Sequence, residues 1–419
     1  MKKCDYFVDN GECYYGNSNN TTGKQTESKL TILNNYVLEW IIVTMAAKGK
    51  DRYGRELIYD GLVFVDCMSS AGMYKTHDGR VIDGTSINVL KHFINSKKYH
   101  PDKTFKLVLN DKDEKSMKCQ ECRINDILSN SKNVDVIYEK MDVSMFLDKL
   151  SESEFFDKIW NKDKKFHTVF FYDPYDVDIR WDAISKLLNK LKRTELRYDF
   201  ILTHFFQNDT IRSIMSGTKK IGKYESAYGM MYDDLADKIK SIDSFERNQF
   251  LRDALIKMMI KNLRIDQTKI AYGPVFSQTN SAIYDIVFYS KSLKGLKIFK
   301  EFMYKTNTRD KDNNNLKHAQ IVMSFDDQDI IDDASYEQKR YTGSEREYFY
   351  SVSSYADIIV AAFIRRENVS KEDILGYRNI HPFIPTSSIE KALDSELRLR
   401  NVSINKKVYD FSKIDRIQK

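Results

Sequence analysis

Acidic residues follow four successive apolar segments of this 419-residue chain. They are Asp66, then Asp111 or Asp113, then Asp142, and then Asp173. A carboxylate accepts several hydrogen bonds, so it can bind an amine or both hydroxyls of a diol. A single acid at the end of a strand is usually a surface residue, because strand ends are polar. Four in succession favour a binding site for a polar ligand.

Small residues follow the first of these acids. Residues 62–74 have the sequence LVFVDCMSSAGMY, in which an apolar run ends at Asp66 and leads into Ser69, Ser70 and Gly72. A buried strand, a tight turn and the start of a helix make up the nucleotide-type site of open α/β sheets. Small side chains let backbone N–H groups approach a ligand there. The segment therefore predicts a cofactor-binding turn.

The tripeptide Asp173-Pro174-Tyr175 follows the apolar run 167–172. It resembles the Asp/Asn-Pro-Pro-Tyr/Phe motif of methyltransferases that act on exocyclic amines. In that motif the first side chain accepts hydrogen bonds from the amine, and the aromatic ring stacks on a flipped-out base. Here the second proline is absent and Asp176 follows the tyrosine. A simple turn at the end of a strand is the alternative interpretation, because Asp-Pro often begins turns.

The spacing of apolar residues predicts the elements that position these motifs. A helix over 26–48, capped by Thr26 or Ser28, precedes the first strand. Helical patterns alternate with the later strands and also fill 224–264 and 293–304. The later strands are predicted at 105–110, 134–139, 167–172, 199–204 and 282–289. Strands that alternate with helices of about ten residues or more indicate a mostly parallel sheet.

In the methyltransferase version of such a sheet, acids in this order bind S-adenosylmethionine (SAM). The first acid and the glycine turn lie near the methionine part, the second acid binds the ribose hydroxyls, and the third reaches the adenine amino group. The cofactor residues predicted in this way are Asp66, Ser69, Ser70, Gly72, Asp111 and Asp142. Asp173 would face the methyl group and its acceptor. No metal is required, since methyl transfer is an in-line displacement helped mainly by positioning.

Positive charge is concentrated in one part of the chain. The net charge is +6, and residues 186–223 contain nine Lys or Arg against three acids. We expect this stretch to border the mouth of the sheet and to contact a nucleic-acid backbone. A solvated helix face is the alternative. The candidate nucleic-acid contacts are Lys29, Lys192, Arg193, Arg212, Lys219 and Lys220, although Lys29 in a first helical turn is also explained as a solvated lysine.

The C-terminal part has a separate pattern. Residues 355–411 predict three short helices and a hairpin, which is the winged helix-turn-helix plan. Ser370 caps the second helix, and Ser387 and Glu390 form a capping box for the third. Its partner is DNA or another protein. The predicted domains are a flexible arm (1–25), a Rossmann-like domain (26–306) with a helical insertion (224–270), a linker or acidic insertion (307–350) and the winged helix (351–419).

The five cysteines bear on the compartment. The N-terminus lacks the apolar core of a signal peptide and no apolar run is long enough to span a membrane, so we expect a cytoplasmic protein. An odd number of cysteines without an export signal argues for reduced thiols. A zinc site formed by Cys4, Cys13, Cys119 and Cys122 is the alternative, although the first pair is too widely spaced for a tight pair of ligands.

Several strings together resemble one protein family. They are TESKLTILNNYVLEW, FVDCMSSAGMY, DGTS, VFFYDPYDVDIRW and FILTHFFQNDTIRS. The chain is similar to the three-Cys-motif partner family along nearly its whole length. The matching positions are Thr26, Lys29, Asp66, Gly72, Tyr74, Gly84, Asp173, Pro174, Tyr175 and Arg212. The resemblance implies a methyltransferase-like protein with a radical-SAM-like protein partner, but Cys67, Ser70, Ala71 and Asp176 depart from the family pattern.

Two hypotheses follow for the function. The first is a SAM-dependent, methyltransferase-like enzyme on a Rossmann-like, class I methyltransferase-type sheet, acting on nucleic acid, with a winged helix for placement. The second is a catalytically degenerate protein of the same fold that binds nucleic acid or a partner protein, within an anti-phage defence module. The retained Asp173 favours the first hypothesis, and the altered turn at Cys67 and Ser70 favours the second. A nuclease lacks support, since no set of acids for two-metal chemistry is evident.

Overall fold

The structure, a computed structural model, describes residues 21–308, 352–374 and 390–414. Within these ranges it leaves out 23, 49–57, 77–78, 130–132, 175–176, 178, 195, 206–207, 218–220, 243, 267–268, 277–281, 372 and 406–407.

The strands of residues 21–308 form one large sheet and one small sheet. In chain order they are β1 (Thr21–Thr22), β2 (Gly61–Asp66), β3 (Met73–Thr76), β4 (Val81–Asp83), β5 (Thr104–Asn110), β6 (Asp135–Glu139), β7 (Phe166–Tyr172), β8 (Arg197–Phe205), β9 (Ile270–Phe276) and β10 (Ala282–Ser290). The large sheet has the order β6-β5-β2-β7-β8-β10-β9. Its first five strands in this order are mutually parallel, which confirms the predicted mostly parallel sheet.

The chain builds this sheet in two directions from its centre. It adds β5 and β6 on one side of β2, and then returns to add β7 and β8 on the other side. The direction therefore switches between β2 and β7, which are direct neighbours. Ligands of open α/β sheets bind outside the carboxyl ends of the strands at such a switch. All six residues of β2 are buried, as expected for a central strand covered on both faces.

Helices cover the sheet. In chain order they are α1 (Lys24–Met45), α2 (Thr85–Tyr99), α3 (Glu114–Leu128), α4 (Val143–Leu150), α5 (Ser153–Ile159), α6 (Trp181–Arg193), α7 (Asn208–Ser216), α8 (Ile221–Tyr228), α9 (Tyr232–Ser241), α10 (Ser244–Leu263) and α11 (Leu293–Thr308). The first begins at Lys24, so Thr26 and Ser28 lie inside it rather than at its cap. Within the described residues, we find no helix both long and apolar enough to cross a bilayer.

Two parts of the sheet structure were not predicted. The first is β9, whose sequence IAYGPVF contains a glycine and a proline. These residues usually indicate a turn, but proline is tolerated in an edge strand, and β9 is the edge of the large sheet. It pairs antiparallel with β10, which is also antiparallel to β8.

The second is the small sheet, which has the order β1-β3-β4. The turn after Asp66 leads first into two short strands that the sequence did not indicate. It leads into the β3–β4 hairpin, and α2 begins only at Thr85 with Gly84 as its N-cap. The N-terminal strand β1 pairs with β3 and so brings the start of α1 to the same place.

The C-terminal part contains α12 (Val352–Phe363), β11 (Val369–Ser370), α13 (Glu390–Leu399), β12 (Ser403–Asn405) and β13 (Val408–Asp410). The predicted hairpin is present as β12 and β13, and β11 adds a third antiparallel strand. Ser370 makes the predicted cap, since its hydroxyl oxygen accepts from the N–H of Asp373. Both the N–H and the hydroxyl of Ser370 also donate to the Asp373 carboxylate. Ser387 lies outside the described residues, and the winged helix stays a prediction.

The cysteines differ from expectation at one position. Cys67 and Cys122 are free thiols. Cys119 is disulfide-bonded, so the prediction that the cysteines are reduced thiols is wrong for this residue. Cys4 and Cys13 lie outside the described residues. A disulfide-bonded Cys119 cannot act as the thiolate ligand that the zinc alternative needs.

Candidate functional site

Asp66 is the last residue of β2 and lies at the switch point of the sheet. Asp173 comes directly after the neighbouring β7, and the backbone N–H of Cys67 donates to the carbonyl of Phe171 at 2.9 Å, which ties the two strand ends together. Asp66 is 2% exposed. Burial, and then the negative charge of Asp173, raise the pKa of Asp66 to about 8, against the opposing effect of Lys29. A carboxyl group in this state readily changes charge near neutral pH.

Asp173 is held from two sides. The Lys29 ammonium donates to its Oδ2 at 2.6 Å, and the Thr203 hydroxyl donates to its Oδ1. Lys29 is only 7% exposed and also lies over the ring of Tyr284, 5.4 Å from its centroid. The first turns of α1 therefore place a cation inside the site. Lys29 is not the solvated lysine of the alternative interpretation, and it lies inside the site rather than on a rim.

Two residues of the turn after β2 have a positive φ. Gly72 has φ +70°, and a Cβ there would lie 3.0 Å from Ile87 and 3.1 Å from Gln120. Ser70 also has a positive φ, of 53°. Its N–H donates to Asp111 Oδ2 at 2.8 Å, so the acid that ends β5 also holds the turn.

Two buried amides behind the turn were missed by the sequence analysis. Asn110 Nδ2 donates to the carbonyls of Cys67 and Met141, and so joins the ends of β2, β5 and β6. Gln120 on α3 donates to Ser86 and accepts the Ser69 hydroxyl at 2.9 Å. The available signal was a polar residue at the end of an apolar strand, and another on the inward side of a helix. The Gln120 amide, which also donates to the Ser69 carbonyl, thus holds Ser69 in place.

Two tyrosines complete the site. Burial together with the charges of Asp173, Asp66 and Asp111 raises the pKa of Tyr74 above its usual value. Burial and Asp173 likewise raise the pKa of Tyr284. Both phenols are thus neutral; Tyr74 lies in the field of all three acids, and Tyr284 in that of Asp173. Sequence analysis had placed Tyr74 only through the family resemblance and had not singled out Tyr284.

Asp142 lies at the same edge of the sheet, as the N-cap of α4. It is exposed, and both the N–H and the hydroxyl of Ser144 donate to its Oδ1. These hydrogen bonds lower the pKa of Asp142. The predicted adenine contact stays a prediction, and the observed role is that of a helix cap.

The basic stretch is divided between two edges of the sheet. Lys192 and Arg193 end α6 only a few residues before β8 begins, so they lie at the amino edge, opposite the mouth. Lys192 donates to the carbonyl of Leu263 at 3.0 Å. Arg212 lies on α7, which begins just after β8 ends, and is exposed at the carboxyl edge. The expectation that the whole stretch borders the mouth is therefore wrong for Lys192 and Arg193, because a crossover helix ends at the start of the next strand.

The remaining predicted site residues are only partly described. Pro174 is buried. Tyr175, Lys219 and Lys220 lie outside the described residues. Among the residues that the structure describes, no group of three or more His, Cys, Asp or Glu side chains could hold a metal ion.

Comparison with solved structures finds methyltransferases of low identity. The chain is similar to magnesium protoporphyrin IX methyltransferase from Synechocystis PCC 6803 with bound SAH, at 11% identity over 64% of this chain and 86% of that one, with a TM-score of 0.30. It is also similar to Trm1 from Pyrococcus horikoshii with S-adenosyl-L-methionine, at 9% identity over 64% and 57% of the two chains, with a TM-score of 0.29. A third is the methyltransferase domain of bacterial CtHen1, at 6% identity over 62% and 98%, with a TM-score of 0.29.

Neither protein-family models nor curated proteins match the chain. The mostly parallel sheet with its flanking helices fits a Rossmann-like methyltransferase fold. TM-scores near 0.3 carry no information about what this chain binds. Its function is therefore inferred from its own residues.

Proposed function

We propose that this chain is a SAM-dependent, methyltransferase-like protein that acts on nucleic acid. The observation that supports this is the buried Asp66 at the switch point, with Asp111 and Asp173 near enough to raise its pKa. Each of these acids ends or follows a parallel strand, beside a turn with Gly72 at positive φ. This is the place where open α/β sheets bind nucleotide-type ligands.

The charge of the site favours SAM over a phosphate-bearing nucleotide. Among the described residues, three carboxyl groups lie together with one cation, Lys29, and one of the three, Asp66, can give up its proton near neutral pH. SAM brings a sulfonium and an ammonium against a single carboxylate, so it supplies positive charge that the site lacks. A dinucleotide would instead bring its pyrophosphate towards Asp66, Asp111 and Asp173, and like charges in a buried site repel strongly. The residues present therefore fit SAM.

In this proposal SAM supplies an electrophilic methyl group, and the chain supplies its placement. Asp66 and the turn at Gly72 would hold the methionine end, Asp111 the ribose hydroxyls, and Asp142 the adenine amino group. Ser70 contributes by keeping Asp111 oriented. Asp173 would face the acceptor, with Tyr175 stacking on a base.

The partners belong to the same proposal. Arg212 at the carboxyl edge, together with Lys219 and Lys220, would contact a phosphate backbone. The C-terminal part would act as a winged helix that places the nucleic acid or a partner. Membership of the three-Cys-motif partner family, a radical-SAM-like protein partner and a role in anti-phage defence are supported only by the sequence resemblance.

Titration calorimetry with SAM tests this proposal. We expect saturable binding below about 1 mM for the wild-type chain, and none for NADH at the same concentration. Asp66→Asn and Asp111→Asn should each weaken SAM binding by about tenfold or more, because each removes a charged hydrogen-bond acceptor.

Asp163→Asn is the matched control, since Asp163 is exposed in the loop before β7, at the opposite edge. Its SAM affinity should equal that of the wild type. Absence of SAM binding, or equal losses in all three variants, would contradict the proposal. It would leave the degenerate binding protein as the remaining hypothesis.

A further inference from the structure

The contacts of Asp173 conflict with recognition of an amine. In the amine-acting motif the carboxylate or amide oxygen is available to the acceptor's N–H groups. Here Oδ2 accepts from Lys29 and Oδ1 accepts from Thr203. An amine arriving at Asp173 would compete with a buried ammonium that is already in place. The Asp173 side chain, which was expected to bind the amine of the acceptor, thus already binds the ammonium of Lys29.

Lys29 is built into this position by more than one contact. It belongs to α1. The N-terminal end of this helix is held at the carboxyl edge of the sheet by the pairing of β1 with β3 and by the ion pair between Glu27 and Arg80 at 3.3 Å. Its Nζ lies between Asp173 and the ring of Tyr284. An ammonium has three N–H donors, and among the described residues Asp173 is its one hydrogen-bond acceptor. Donors are therefore left for an oxygen atom in the site.

A fixed cation discriminates between nitrogen and oxygen acceptors. A nitrogen that attacks a methyl group gains positive charge as the new bond forms, and a neighbouring ammonium repels that charge. A hydroxyl oxygen that attacks while losing its proton gains negative character instead, and the same ammonium stabilises it. This stabilisation is largest where water is excluded, as it is around Lys29 and Tyr284.

We propose that the methyl acceptor is a ribose hydroxyl of RNA, and that Lys29 is the residue that selects it. This inference rests on the proposed SAM-dependent function. RNA is the nucleic acid that carries such a hydroxyl on every nucleotide, whereas DNA lacks the 2′-hydroxyl. Lys29 donates to the acceptor oxygen and is thereby a catalytic residue.

The proposed methyl transfer from SAM to the hydroxyl balances in atoms and electrons. The acceptor oxygen uses a lone pair to form the bond to the methyl carbon, and the carbon–sulfur bond breaks with its electron pair remaining on sulfur. The hydroxyl proton passes to water. The products are the methyl ether, the neutral thioether and one proton.

The first experiment identifies the product. The wild-type chain is incubated with methyl-labelled SAM and either a random-sequence RNA pool or the DNA pool of the same sequences, and the digested nucleosides are separated by mass spectrometry. We expect label on ribose in the RNA pool and at least about tenfold less label in the DNA pool. Label on a base nitrogen, equal label in both pools, or no label in either pool while SAM binds would overturn the inference. Absence of SAM binding would instead refute the proposed function itself.

The second experiment needs no methyl transfer. Fluorescence anisotropy without SAM compares the affinity for the two pools. The wild type should prefer RNA by about tenfold, and Lys29→Met should lose that preference. Lys48→Met, an exposed lysine beyond the other end of α1, should keep it.

A conservative variant separates this role from a structural one. Lys29→Arg retains the cation beside Asp173, so it should retain the RNA preference within about threefold. Lys29→Met should still bind SAM and show the wild-type far-UV circular dichroism spectrum. Equal RNA and DNA affinities of the wild type, or an unchanged preference in Lys29→Met, would overturn the inference.

Discussion

Asp66 links the candidate site to the stability of the fold. In the unfolded chain its pKa is the ordinary value of 3.8, and in the folded chain burial and Asp173 raise it to about 8. The folded state therefore holds a proton that the unfolded state releases between about pH 4 and about pH 8. The resulting contribution to stability is complete at low pH and is lost as the pH rises through that window.

Asp66→Asn should remove this pH dependence, because the amide has nearly the shape of the protonated acid and does not ionise. We expect the variant to be more stable than the wild type at about pH 9, by a few kcal/mol, and about equal to it at about pH 3, below the window. Urea unfolding at both pH values measures the difference. An equal loss of stability at both values would show that the buried charge is not the cause.

The same substitution is expected to weaken SAM binding. A neutral amide cannot compensate a positive ligand, whereas the carboxyl can give up its proton when such a ligand arrives. Asp66 is thus a residue at which stability and ligand binding oppose each other, as is common in functional sites.

At the scale of elements, the turn after β2 is strained at one position. Cys67 and Ser70 both stand where the resembling family has glycine, but only Ser70 has the left-handed backbone, with φ 53°. A Cβ in that conformation costs about 1 kcal/mol or more. The hydrogen bond from its N–H to Asp111 helps to keep it there.

Ser70→Gly should relieve this strain and raise the free energy of unfolding by about 0.5–1 kcal/mol. Ser70→Ala is the matched control, because it keeps the Cβ and should give no gain. Both variants retain the backbone N–H that Asp111 accepts, so SAM affinity should not fall in either. Chemical denaturation decides between them, and a gain of the same size in both variants would rule out backbone strain as the reason.

At the scale of the whole molecule, the two edges of the sheet have different charge. The carboxyl edge carries the acids of the site. At the amino edge lysines meet the ends of helices: Lys190 donates to the carbonyl of Ser151, and Lys192 to that of Leu263. Helix C-termini attract cations because their last carbonyls lack partners and their dipole end is negative. Much of the basic stretch is thus explained by the fold itself.

Because the two edges differ in charge, substitutions of an arginine at each edge should affect RNA binding differently. Arg212→Glu, at the carboxyl edge, should weaken RNA binding by about tenfold and make it less dependent on salt. Arg193→Glu, at the amino edge, should leave RNA affinity within about twofold of the wild type. Anisotropy titrations at two salt concentrations test both. A larger loss in Arg193→Glu than in Arg212→Glu would place the RNA on the opposite face.

Local sequence was sufficient for the strands and for the order of their acids. A buried parallel strand is a continuous apolar run, and a polar residue marks where it ends, so β2, β5, β7 and β8 could be located together with Asp66, Asp111 and Asp173. These features depend on residues close together in the chain, and hydrophobic periodicity reports them directly.

The contacts between distant residues required the tertiary structure. Lys29 and Asp173 are separated by 144 positions, and no local pattern indicates that a lysine near the start of a helix will be buried against a strand end. The position of Lys192 and Arg193 at the amino edge likewise depends on the direction in which α6 crosses the sheet. The sequence alone determined which acids lie at one edge, because strand direction places them there. Only the packing of α1 over that edge decided which cation they meet, because that contact is a product of chain topology rather than of neighbouring residues.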